Sequence, residues 1–195
     1  MKKISCLLIF MFSLLLVGGC ACNKSDDTIK YTHYLRGGKS EELDAKILWE
    51  YSNSTFTKYQ VAYTSYVCSD PSVNYTNVIY IEITNKGEKE QSKIRSISFS
   101  TFKDDTGSTF NVGLWGDYKE AVKKEFYEDG VEGELLPVIR SKTYSEIESI
   151  ASKGYGNYKS IEGINSDLIS GGTVSASNVI SIVKAIFDYH IDNHY

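Results

Sequence analysis

Apolar positions along this chain follow three periods. Ile4 to Val17 is a near-continuous apolar run, interrupted only by Ser5, Cys6 and Ser13. Between Ile47 and Phe102 the pattern alternates. Tyr59, Val61, Tyr63 and Val67 sit at even spacing, and Val78-Ile79-Tyr80-Ile81-Glu82-Ile83 is rich in β-branched and aromatic residues. Asn85-Lys86-Gly87 supplies a turn, and Ile94 to Phe99 returns as the next strand. This predicts a meander or hairpin stack. After Trp115 the period becomes helical. Asp117 followed by Glu120 is a capping-box pattern opening a helix to about Tyr127, which Asp129-Gly130 ends. Thr143 followed by Glu146 repeats the device, and that helix stops at Lys153-Gly154. Val179, Ile182, Val183, Ile186 and Tyr189 lie on one helical face, predicting a last helix that begins around Ser175 to Asn178. Strands first and helices afterwards define an α+β class. The expected form is an antiparallel sheet, a meander or half-barrel, packed by two or three C-terminal helices.

The first apolar run has a different use. Its 14 residues are too few to span a hydrocarbon core, which needs about 20. With Met1-Lys2-Lys3 ahead of it, the run has the form of an export signal. It ends in Val17-Gly18-Gly19-Cys20, which resembles the bacterial lipobox. That resemblance implies cleavage before Cys20 and a thioether diacylglycerol on its sulfur. Two or more acyl chains, at about 0.8 kcal/mol per buried CH₂, hold a protein stably on a membrane. The expected organisation is a signal peptide at 1–19, a lipidated N-terminus and polar tether at 20–45, and one α+β domain at 46–195.

Composition narrows the partners. Cleavage leaves 176 of the 195 residues, enough for a sizeable core. Loss of Lys2 and Lys3 takes the formal charge from −4 to −6, which argues against nucleic acid and against polybasic binding to anionic lipid. Cys22 and Cys68 remain after Cys6 leaves and Cys20 is acylated. An oxidising compartment allows them to pair, and nothing in their spacing requires it.

The segment before the last helix carries the most specific chemistry: Asp167-Leu168-Ile169-Ser170-Gly171-Gly172-Thr173-Val174-Ser175. Two glycines admit close backbone approach, hydroxyls follow, and a helix N-terminus offers unpaired N–H groups to an anion. A flexible loop with a Ser or Thr cap explains the same features. The segment resembles the flavinylation motif of FMN-binding domains, Asp-x-x-Ser-Gly-Ala-Thr-x-Ser/Thr. Asp167, Ser170, Gly171, Thr173 and Ser175 match in register, and Gly172 replaces the family's usual Ala.

The resemblance implies that a bacterial flavin transferase joins FMN to Thr173 through a phosphoester. Ser170, Gly171, Gly172, Val174 and Ser175 would border the phosphodiester, and Asp167 would serve transferase recognition or loop capping. Trp115, Tyr155 and Tyr158 are candidates for the flavin's aromatic surface, with ordinary packing as the alternative for each. The implied function is a membrane-anchored electron carrier. A membrane reductase or quinone-linked complex would donate, and the acceptor would lie outside the cytoplasm. A carrier of this kind is expected rather than an enzyme with its own substrate. The alternative is a flavin-free surface lipoprotein that binds a ligand or a protein partner.

Other constellations carry less. Asp105-Thr106-Gly107-Ser108 matches the aspartic-protease tetrapeptide in a single copy, and a turn between strands accounts for it. His190 and His194 share a helical spacing suited to a metal, with no third ligand in place and His33 distant in the expected tether. No metal site is expected.

Overall fold

A computed structural model describes residues 27–67, 70–85, 87–99, 102–103, 109–110, 131–165 and 172–195. Outside these lie Cys20, Cys22, Cys68, Trp115, the expected 117–127 helix, the Asp105 tetrapeptide, and the motif residues Asp167, Ser170 and Gly171.

Five antiparallel strands form one sheet in chain order: β1 Thr28–Tyr34, β2 Ser40–Ser52, β3 Phe56–Val67, β4 Asp70–Thr84 and β5 Ile94–Phe99. Phe102–Lys103 (β6) pairs separately with Thr109–Phe110 (β7). A π-helical turn, Val131–Leu135, leads into the short helix α1, Leu136–Ile139. Helix α2 spans Tyr144–Ala151, a 3-10 turn follows at Asn157–Ser160, and helix α3 runs from Thr173 to His194. The α+β architecture expected from the sequence is therefore present: a sequential antiparallel meander, followed among the described residues by three α-helices. Among the described residues no helix is long and apolar enough to cross a membrane.

Alternation decides which face is covered. Ile29 and Tyr31 on β1, Tyr59, Val61 and Tyr63 on β3, and Ile79, Ile81 and Ile83 on β4 are all buried. They join one core with Val179, Ile182, Val183 and Ile186 of α3. The opposite face carries Lys58, Tyr80 and Glu82 and stays partly wet, as antiparallel sheets allow. A bulge at Leu48 breaks the β2 register between Ile47 and Trp49. One extra residue switches the inward parity from Ala45 and Ile47 to Glu50. The bulge therefore delivers a carboxylate to the helix-covered face, where the Tyr189 hydroxyl donates to Glu50 at 3.3 Å.

The expected tether to residue 45 is corrected here. Residues 28–34 form β1, and β2 already begins at Ser40. The reason is an alternation short enough to be lost among charges. Ile29, Tyr31 and His33 point inward while Lys30 and Thr32 point out. His33, expected in the tether, is fully buried on the core face, and burial lowers its pKa. Its ring packs edge-on to Tyr31, which packs edge-on to Tyr63.

Both edges of the sheet are tied down. Asn178 of α3 accepts from the Tyr34 N–H at 2.6 Å and donates to its carbonyl at 3.1 Å. At the other edge, Ile94 N–H donates to the Lys142 carbonyl and Ser141 N–H to the Ile94 carbonyl. Such ties occupy backbone groups that would otherwise recruit another strand.

Candidate functional site at the start of the last helix

Helix α3 begins earlier than its apolar period suggested. Thr173 is its first residue and Gly172 its N-cap, two residues before the expected Ser175. Thr173 therefore belongs to the first helical turn rather than to a preceding loop. Gly172 has no side chain with which to accept the first N–H groups of the helix. That leaves the dipole's positive end next to the Thr173 hydroxyl without a capping oxygen from this position.

The loop between α2 and α3 is bonded to this turn. Thr143 and Glu146 form the predicted capping box and start α2. The Thr143 N–H donates to Glu146 at 2.8 Å, and this bond holds the Glu146 carboxyl below its ordinary pKa. Gly154 and Gly156 then take left-handed conformations, with φ of 75° and 77°. This lets the chain reverse into the 157–160 turn. The Gly156 N–H donates to Ser177 Oγ at 2.9 Å, and the Ser177 hydroxyl donates to the Thr173 carbonyl at 2.7 Å. The Tyr158 and Thr173 hydroxyls lie 3.0 Å apart within hydrogen-bonding reach.

The expected site residues thus divide. Thr173 is partly exposed, and its hydroxyl is held by a phenol. Gly172 and Val174 are buried, and Ser175 is 1% exposed, so the Ser175 side chain faces the fold. Tyr158, considered as a flavin-stacking ring, is fully buried and uses its hydroxyl toward Thr173. Tyr155 is 36% exposed and packs against Tyr34, with ring centroids 6.2 Å apart. It precedes Gly156, whose N–H is bonded to Ser177 of α3. Asn157, next to Tyr158, buries an amide whose nitrogen and oxygen find no hydrogen-bond partner among the described residues. Asn178, which bonds the Tyr34 backbone, and the buried Asn157 belong to no sequence motif. The double glycine around Tyr155 was the available sign that 154–160 folds back on something.

The paired histidines at the other end of α3 are engaged with the protein. His190 is buried, with Nδ1 2.9 Å from the Tyr59 hydroxyl and Nε2 3.2 Å from the Thr84 carbonyl. His194 lies 3.4 Å from Glu50. Among the described residues no group of three or more His, Cys, Asp or Glu side chains is placed to hold a metal.

Comparison of the chain with protein-family models, with curated proteins and with solved structures finds no match. The class defined here is thus the α+β fold itself, a five-stranded meander covered by a C-terminal helix.

Proposed function

We propose that this chain is a lipid-anchored, extracytoplasmic electron carrier holding FMN covalently on Thr173. The observation that carries the reading is the position of Thr173. A partly exposed threonine occupies the first turn of a 22-residue helix, directly after a glycine N-cap, inside the Asp167-to-Ser175 motif. A phosphodiester on that oxygen would sit at a helix N-terminus, where N–H groups and the dipole favour negative charge.

The surrounding residues fit a flavin. Tyr155, next to Gly156, offers a partly exposed ring, and the buried Asn157 amide has no hydrogen-bond partner among the described residues. An aromatic heterocycle carrying carbonyl and imide groups has the complementary chemistry. Bound FMN would supply reversible electron transfer. The chain itself would hold the phosphate end at Thr173 and stiffen the attachment turn through Ser177 and Tyr158. Lipid on Cys20 would confine the carrier near a membrane reductase or quinone-linked complex, raising their effective concentration. Maturation requires a bacterial flavin transferase.

The test is Thr173→Ala, made in cells containing that transferase and examined by flavin fluorescence on a denaturing gel. The wild-type band is expected to fluoresce and the variant band to be dark. A fluorescent Thr173→Ala band removes Thr173 as the attachment point. A dark wild-type band favours a flavin-free lipoprotein that binds a ligand or protein.

A further inference from the structure

We infer that Tyr158 is a positioning residue for modification of Thr173, orienting Oγ1 before a phosphoryl donor arrives and bonding the ester oxygen afterwards. This rests on the flavin reading above and names a residue outside the 167–175 motif.

A fully buried phenol needs a hydrogen-bond partner, and Tyr158 has the Thr173 hydroxyl at 3.0 Å. Its own place is fixed from two sides. The 3-10 turn Asn157–Ser160 starts from left-handed Gly156, and the Gly156 N–H is bonded to Ser177, one turn after Thr173. Ser177 in turn bonds the Thr173 carbonyl. Both the backbone and the side-chain oxygen of Thr173 are thereby referenced to one rigid loop.

Either hydroxyl can donate while Thr173 is unmodified. A threonine ester has no hydroxyl hydrogen, so the contact then persists only with Tyr158 as donor. A phenol can do this, and an acceptor-only side chain at 158 could not. In the transfer step the Thr173 Oγ1–P bond forms and the anhydride P–O bond of an activated flavin nucleotide breaks. The departing nucleotide monophosphate takes the electron pair, and the Oγ1 proton passes to a base of the transferase. Tyr158 contributes by limiting the Thr173 rotamer, and lost alignment of a reacting atom commonly costs ten- to about a hundredfold in rate.

The experiment uses purified full chain, flavin transferase and flavin adenine dinucleotide with Mg²⁺, and follows initial rates by intact mass. Tyr158→Phe keeps the ring and removes the hydroxyl. It is expected to lower kcat roughly tenfold or more with KM for the chain unchanged, at unaltered far-UV circular dichroism. An unchanged kcat, or a loss confined to KM, overturns the positioning role while the flavin reading stands. Failure of the wild-type chain to accept flavin overturns both.

Should Tyr158→Phe not fold, Thr173→Ser decides. Serine keeps the oxygen but lacks the methyl that restricts its rotamer. If Tyr158 holds the oxygen, serine is modified at close to the wild-type rate. A tenfold or greater loss in Thr173→Ser would show that the rotamer is set without Tyr158.

Discussion

His190 is a residue whose burial and charge conflict directly. Removal from water, and then the neighbouring His194, push its pKa down to about 4, against weaker opposing effects of the Thr84 carbonyl and Glu50. Tyr59, whose phenol burial pushes far up, faces one ring nitrogen. The neutral imidazole is thus the folded form. Between the ordinary value of about 6.5 and about 4, the unfolded chain binds a proton that the folded chain does not. This contribution to stability is complete above about pH 6.5 and is lost as pH falls toward 4. At its largest the loss is about 3 kcal/mol. Urea titrations at pH 7.5 and 4.5 on wild type and His190→Gln check it. The wild type is expected to lose more stability than the variant, and equal losses would place the acid sensitivity elsewhere. At this scale the motif around Thr173 stands out in the sequence because it names a residue type and a spacing, and the attachment itself is the proposal to be tested. Tyr158 was legible only as an aromatic, since sequence does not say whether a tyrosine works through its ring or its hydroxyl.

At the scale of elements, α3 does more than its apolar stripe implies. Val179, Ile182, Val183 and Ile186 face the core as their spacing predicts. Ser177, Asn178 and Phe187 are buried as well. Phe187 meets Tyr144 of α2 edge-on at 5.9 Å, and Asn178 closes the open edge of β1 at Tyr34. Such polar closures have no period, so a hydrophobic pattern cannot announce them. Local chemistry can: the Thr143–Glu146 box was readable because both halves of a cap lie three residues apart. Replacing Asn178 by Ala leaves the Tyr34 N–H and carbonyl without this partner. Stability should fall by roughly 1–3 kcal/mol, measured by chemical denaturation. No change would mean that the β1 edge is held by other contacts.

For the whole molecule, the folded region reaches further toward the N-terminus than composition suggested. The run from Thr28 to Asp44 reads as polar because one side of each strand faces water. Ile29, Tyr31, His33 and Ala45 nevertheless enter the core face, and Tyr189 donates to Asp27 at 2.6 Å. A chain starting at Lys46 therefore loses β1 and half of β2, and α3 loses the strand it packs along. That truncation is expected to abolish cooperative thermal unfolding, whereas a chain starting at Asp27 should retain it. Equal melting of the two would contradict the placement of β1 in the domain. The five-stranded order was legible as a meander from Ile47 onward, where apolar alternation is long. It was hidden before that point, where three inward residues are diluted by Lys30, Glu41, Glu42 and Asp44. If α3 carries a flavin at its start, this sheet sets where the flavin stands relative to the anchor, and fewer residues separate Cys20 from the first strand than the expected 20–45 tether would give.

Peptide mass mapping of the natively made protein decides whether Thr173 carries FMN. The peptide containing Thr173 is expected to carry FMN as a phosphoester, with diacylglycerol on Cys20 of the same molecule. An unmodified Thr173 peptide, from cells that flavinylate other proteins, would contradict it.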